Sequence, residues 1–388
     1  MSMSQAPSIQ LTETTKDFAI HSVVSLIVDV PTIRKHKLSQ TSVTAQNYVI
    51  VRIRLVNGVE GIGEAATLGG PRWSEESVEG IKTVIDTYLA SAIIGLDARQ
   101  IQIAAASMDR AAKRNNAAKA AIETALWDAM GKSLNLPVHT FFGGAVRTKI
   151  PVLWTLASGD PCQEIEEANA KLEQRLHNRF KVKIGAQTPE QDIARLTKLT
   201  NALNGRAELI VDVNQAWDES ISIHYLPRLA DMGIKLVEQP VPAWNIPALA
   251  RLRTRPGIPP ILADECVFDA HDMLHVANAG AADAVSLKLV KHAGLVGLRA
   301  VASVAEAAGL ELYGGCLLES SVGASAHLQV FSTFRKLHWG CEHFGPQILI
   351  SDIVAEPLRF ADFCVHLPSG PGIGMVLDED KLHRFTRA

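Results

Sequence analysis

FKVKIG (180–185), AELIVD (207–212), IKLVE (234–238), PILAD (260–264), AVSLK (284–288) and LELYGG (310–315) share one design. Each is a short apolar run with a charged residue or glycine at or near its end. Three of them close on acids, Asp212, Glu238 and Asp264, about 26 residues apart. A strand, a helix and their loops take about 25–30 residues in a (β/α) barrel, so one run per unit is the rhythm of that fold. Side chains at the C-terminal ends of barrel strands converge on one mouth.

Outward from this stretch, strands are expected near 150–155, 180–184, 208–212, 234–238, 260–263, 284–288 and 310–314. Helices are expected near 162–178, 189–203, 219–232, 245–254, 269–279, 293–308 and 320–335, with a last short strand near 336–340. Such alternation implies a parallel sheet, and seven or eight units imply a closed barrel. Before Gly143-Gly144 the pattern differs. Residues 19–30 read as a strand, TIRKHKLSQTSVTAQ (32–46) as a loop, and 47–65 as a hairpin turning at Asn57-Gly58. Helical periodicity follows over about 75–90 and 99–133. The division expected is an α+β capping domain over 1–145, a (β/α)7β TIM-type barrel over 146–360, and a Gly/Pro-rich segment over 361–388 returning to the cap. Residues 1–18 read as a polar terminal extension.

With 47% apolar residues the chain can bury a large core. A net charge of −3 argues against nucleic acid or an anionic membrane surface as partner. No apolar run reaches the length of a membrane span, and the first residues lack the pattern of a secretory signal. The five cysteines are scattered and without CxxC spacing, which fits a reducing cytoplasm. Glycines 58, 61 and 63 fall in the hairpin, not before a helix, so they do not mark a dinucleotide site.

Three carboxylates in one mouth suit a hard divalent cation such as Mg²⁺ or Mn²⁺ and leave positions open for water or substrate. The alternative is that each acid caps the helix after it. Lys181 and Lys183 alternate with Val182 and Ile184, so both amines face the barrel interior. Two adjacent ammonium groups beside a cation should have depressed pKa values, suited to acid–base work; solvated lysines on an edge strand are the alternative. Lys288 approaches from the other side of the mouth. Lys291 reads as loop or helix surface, and Glu319 could orient an amine or a substrate carboxyl. His224, His271, His275, His292, His327, His338 and His343 form no HxH or HxxxH pair at a strand end and read as ordinary helix or surface residues. Cys316 reads as a buried thiol.

KVKIG, DVNQAW, VEQP, ADE, SLKLVK and YGGCLLESSVG, in this order and spacing, closely resemble the enolase superfamily. More narrowly, they resemble its muconate lactonizing branch, the muconate and chloromuconate cycloisomerases. TIRKHKLS, GIGEAATLGG, WTLASGD and WGCEHFGP extend the resemblance along nearly the whole chain. The resemblance implies a divalent ion, Mn²⁺ or Mg²⁺, on Asp212, Glu238 and Asp264. It implies Lys183 and Lys288 as acid/base groups on opposite faces, Lys181 tuning its neighbour, Glu319 hydrogen-bonding at the far side, and Asn214 and Gln239 supporting the site. Loops 31–45 and 67–75, with Trp73, would cover a dicarboxylate substrate. The implied activity interconverts cis,cis-muconate and muconolactone in catechol catabolism, in a homo-oligomer, commonly an octamer. Dipeptide epimerase, o-succinylbenzoate synthase and a silent metal-binding barrel are the alternatives. Cys266 and Cys316 depart from the Ser and Thr usual in relatives.

Overall fold

A computed structural model describes residues 16–37, 42–72 and 75–387. Trp73 and most of the polar extension lie outside them. The chain opens with an antiparallel sheet: β1 (Ile20–Lys37), β2 (Ser42–Leu55) and β3 (Glu60–Thr67). β1 is longer than expected. The basic stretch assigned to a loop is strand up to Lys37, with His36 opposite Val43 and Lys37 opposite Ser42. β1 lies at the sheet edge, where Pro31 removes no needed donor. The register slips between Pro31 and His36, which re-aims the strand tip.

Helix α1 (Val78–Val84) starts at the Ser77 cap and runs on through a π turn to Ile93. The Ala-rich segment is two helices, α2 (Ile101–Ala111) and α3 (Asn116–Leu134). Arg114 and Asn115 both take left-handed backbone, with φ of 53°, and this ends the periodicity between them. α3 is buried from Ala117 to Gly131 because β3 lies directly on it. A Cβ on Gly63 would stand 2.0 Å from the Ala121 carbonyl oxygen. Gly61 and Gly63 serve close helix–sheet approach.

After β4 (Lys149–Pro151) the barrel begins: β5 (Trp154–Leu156), α4 (Pro161–Glu173), β6 (Arg179–Lys183), α5 (Pro189–Leu203), β7 (Glu208–Asp212), α6 (Glu219–Asp231), β8 (Val237–Glu238), α7 (Ile246–Arg253), β9 (Ile261–Ala263), α8 (Ala270–Ala279), β10 (Ala284–Leu287), α9 (Leu295–Ala307), β11 (Glu311–Gly314) and α10 (Ser321–Phe331). β5 to β11 form one parallel sheet in chain order. The expected eighth strand is a single residue, Cys341, which bridges both Gly314 and Val152 and closes the ring. β12 (Phe360–Ala361) pairs with β13 (Cys364–His366), which pairs with β4, and α11 (Glu379–Phe385) packs on β1.

Inside the ring, Leu153, Ile210, Leu236, Leu262, Ala284 and Tyr313 form an apolar plug. Ile210, Leu236 and Leu262 each precede a candidate metal ligand by two residues. Period-two alternation therefore places the acids on the same inward face, one layer nearer the mouth. The cap is tied over this mouth. The Tyr48 hydroxyl donates to Leu318 O at 2.8 Å, Arg34 donates to Glu167 and to Thr155 O, and Lys37 N donates to Ala157 O.

A Gly63→Ala variant should lose about 1–3 kcal/mol of stability or more, because backbone rather than a movable side chain occupies the space. Urea unfolding followed by circular dichroism reads the loss; an unchanged midpoint would contradict the close approach.

Candidate active site

Strand register brings the charged residues together. Lys183 lies opposite Asp212, and Asp212 opposite Glu238. Asp264 stands two residues beyond Leu262, the partner of Glu238. The helix caps are other residues: Asp160, Thr188, Asp218, Asn245, Asp269 and Ser320 accept from helix N–H groups. Asp212, Glu238 and Asp264 are thus free of capping duty, and all three are buried.

Four ammonium groups answer them. Lys181 Nζ stands 2.5 Å from Glu238 Oε2 and 2.8 Å from Glu342. Lys183 Nζ is 2.6 Å from Asp212 Oδ2 and 3.1 Å from Asn214 Oδ1. Lys288 and Lys291 reach Asp264 at 2.5 and 2.7 Å. Lys291 is therefore a buried member of the site, not a surface residue. Its Nζ also donates to the carbonyls of Asp264 and Ser286.

The expected depression of the amine pKa values is for lysines beside a cation; their carboxylate neighbours act the other way. Burial pulls Lys181 and Lys183 down, but Glu238 and Glu342 around the first, and Asp212 beside the second, outweigh it and hold both amines above the ordinary lysine value. Each lysine faces a carboxylate more closely than it faces the other lysine. Glu238 also moves up: burial and then Asp212 push its carboxyl well above the usual range. Lys181, level with Ile210 in the plug, is fully buried, and its ammonium also lies 4.7 Å from the Tyr313 ring centroid.

A cavity of about 810 Å³ opens above this layer. Lys183, Asp212, Asp264, Lys288, Lys291 and Glu342 line its floor side; His36, Leu68 and Arg72 come from the cap. β6 and β10 are four positions apart in a ring of eight, so Lys183 and Lys288 face each other across the mouth. Asn214 and Gln239 support the floor. Asn214 N donates to Asp212 Oδ1 and Gln239 Oε1 accepts from Asp264 N, each at 3.0 Å. Both residues adopt left-handed backbone, which non-glycine residues take up at a cost and mostly at functional sites.

Glu319 is placed elsewhere. It is not on the cavity wall; its Oε1 accepts from Leu317 N, and Oε2 lies 3.8 Å from His343 Nε2. Burial pushes its carboxyl to about 7. Glu342, which follows the closing residue Cys341, does line the cavity. His292, His327 and His343 are buried rather than on the surface; His327 lies on α10, as a helix residue. Glu319, His327 and His343 cluster, with the two imidazoles tilted by 42° and their centroids 4.2 Å apart, yet both nitrogens of His327 are already engaged, by Gly323 O and Leu289 N. Burial pushes the Cys266 thiol to about 12 and Cys316 well above its ordinary value, so both remain protonated thiols.

A cap over the mouth of a (β/α)7β barrel, with acids on three successive strands and amines facing across them, is the architecture of the enolase class. Residues 22–143 match the family "Mandelate racemase / muconate lactonizing enzyme, N-terminal domain", and residues 163–381 match "Enolase C-terminal domain-like". The chain belongs to this family of enzymes. It is 46% identical to a chloromuconate cycloisomerase of Pseudomonas sp. (strain P51), over 95% of this chain and 99% of that one. It is equally 46% identical to muconate cycloisomerase 1 of Pseudomonas putida, over 95% and 98%. The crystal structure of muconate lactonizing enzyme from Pseudomonas fluorescens complexed with muconolactone superposes with a TM-score of 0.94 at 42% identity, covering 96% of this chain and all of that one.

The family implies a divalent metal ion, and the residues fit one. Three hard oxygen donors converge from adjacent strands, and Glu238 Oε1 is buried without a hydrogen-bond partner.

Lys181→Met should destabilise the protein by about 3–5 kcal/mol at pH 8, because Glu238 and Glu342 lose the ammonium between them. The loss should shrink at pH 5, where Glu238, already pushed up, takes a proton and needs no cation. Urea unfolding at the two pH values measures this; equal loss at both would contradict the charge account.

Proposed function

We propose that this protein is a metal-dependent cycloisomerase that interconverts cis,cis-muconate and muconolactone in aromatic catabolism. The observation that carries the reading is the pair Lys183 and Lys288 facing each other across the three acids. The similarity to muconate and chloromuconate cycloisomerases supports the substrate class. We assign Asp212, Glu238 and Asp264 to a Mg²⁺ or Mn²⁺ ion, Lys183 and Lys288 to acid–base work, and Lys181 to tuning Lys183. Glu319, which interacts electrostatically with Lys288, is assigned to the far side of the site, and Glu342 lines the cavity wall. The reading includes a homo-oligomer, an octamer by resemblance, a cytoplasmic setting, and the domain division 1–145, 146–360 and 361–388.

Muconate enters as a dianion. One carboxylate oxygen attacks the double bond conjugated with the other carboxylate and closes the five-membered ring. The electron pair moves through the chain onto the remote carboxylate, giving an enolate-like dianion. Asp212, Glu238 and Asp264 would hold a divalent cation, which would supply charge stabilisation to such an anion, worth several kcal/mol. Lys183 gives a proton to the carbon α to that carboxylate, the pair returns to the C–H bond, and muconolactone leaves with one negative charge. One proton is consumed per turnover, and solvent returns it to the amine. Asn214 holds the Lys183 ammonium in direction, at 3.1 Å. Cap residues His36, Leu68 and Arg72 close the cavity over the diene.

A second reading has a specific basis, since chloromuconate cycloisomerases match as closely as muconate cycloisomerases. In that reading, ring closure on a chlorinated diene is followed by loss of chloride. Ultraviolet loss of cis,cis-muconate, with and without Mn²⁺ and beside a chlorinated analogue, separates the two. Metal-dependent loss of muconate with a lactone product is expected. Faster turnover of the analogue with chloride release would favour the second reading, and no loss of either would overturn both. Lys183→Ala should lower kcat by about 10²–10⁴-fold, the usual share of a general acid, with calorimetric Mn²⁺ affinity retained; a near-normal rate would remove Lys183 from its role.

A further inference from the structure

The backbone that carries Lys183 is gripped from behind. Arg195, on α5, donates through Nη2 to the carbonyl oxygen of Lys183. The same nitrogen reaches Asp192 Oδ1 at 3.5 Å, and Nη1 donates to Glu164 Oε1 at 3.2 Å. The two acids in turn hold the loops on either side. Glu164 accepts from Gly159 N at 2.9 Å, in the loop after β5. Asp192 accepts from Gly185 N at 2.7 Å, in the turn after β6. Glu164, Asp192 and Arg195 are 0%, 1% and 7% exposed, and none of them lines the main cavity. They cannot touch a substrate there. What they can act on is the strand end.

That end is abrupt. Gly185 has a φ of +92°, and a Cβ there would stand 2.5 Å from the Ala216 methyl. The chain therefore turns sharply two residues after Lys183, and the network fixes the last peptide before the turn. A small tilt of this peptide is magnified at Nζ by the length of the lysine side chain. Lys288 has a separate support, because Leu289 N donates to His327 Nε2 at 2.9 Å. The two amines are aimed by different buried side chains.

We propose that Arg195 is a positioning residue for Lys183, aiming the amine through the Glu164–Arg195–Asp192 network and the Lys183 carbonyl. The kinetic part of its test rests on the cycloisomerase reading; the labelling part does not. Arg195→Met, Arg195→Lys and Leu199→Ala, a buried core change on the same helix, are compared in the Mg²⁺-loaded protein. Misplacing a reacting group by about 1 Å costs on the order of a hundredfold, so kcat on muconate should fall by about that factor in Arg195→Met with KM within about twofold. Arg195→Lys, which keeps the charge but not the fork, should fall between the two. Leu199→Ala should lower the melting temperature and leave kcat close to the parent value.

The second readout is competitive acetylation, read by peptide mass spectrometry as Lys183 relative to Lys288 in the same sample. Release of the strand end should raise this ratio several-fold in Arg195→Met and leave it unchanged in Leu199→Ala. An Arg195→Met protein that matches Leu199→Ala in both kcat and labelling ratio overturns the proposal. Should Arg195→Met not fold, Arg195→Lys carries the same two readouts, and a parent-like result there overturns it equally. If the parent protein itself fails to turn over muconate, the functional reading falls while the labelling ratio still decides the role of Arg195.

Discussion

Four lysines and four acids meet at the base of the barrel mouth, and their mutual neutralisation governs the site. Glu238 between Lys181 and Asp212, and Asp264 between Lys288 and Lys291, would be intolerable charges if left alone. Paired, they place hard oxygen donors and proton-carrying amines within one cavity. Desolvation sharpens each interaction, because a low local dielectric strengthens attraction and penalises a missing partner alike.

The fold supplies this arrangement through alternation. Each acid stands two residues past a plug residue on the same strand, so the apolar stack of Ile210, Leu236 and Leu262 sets the height at which Asp212, Glu238 and Asp264 emerge. Lys181 is the exception. It enters the plug itself, which explains why it needs two carboxylates and the Tyr313 face, whereas Lys183 stands at the mouth with Asp212 and Asn214. The cap completes the cavity from above, held by hydrogen bonds to backbone at Leu317, Leu318 and Thr155.

Much of this is legible in the sequence, for physical reasons. Strand-end acids at barrel spacing and the parity of Lys181 and Lys183 are local properties that survive folding. The direction of the amine pKa values is not local: it depends on which carboxylate lies across the next strand, and Glu342 is 161 positions from the Lys181 that it pairs. Lys291 reads as surface because it falls in the turn after β10, while the chain folds back to bring its amine under Asp264. Glu342 escapes notice because its strand is a single bridging residue with no apolar run to announce it. Glu319 attracts notice by following a glycine pair, yet Cys316, Leu317 and Leu318 line the cavity and Glu319 does not. The length of β1 is hidden by its basic composition, which an edge strand tolerates.

The central claim is that Asp212, Glu238 and Asp264 form one cation site at this layer. Anomalous diffraction from crystals of the protein soaked in Mn²⁺ tests it most directly. The account predicts a single strong peak within about 2.0–2.6 Å of an oxygen from each of the three carboxylates, with the lysine ammonium groups withdrawn from the bound oxygens. A peak elsewhere, or none at the three acids with Mn²⁺ in excess, would contradict it.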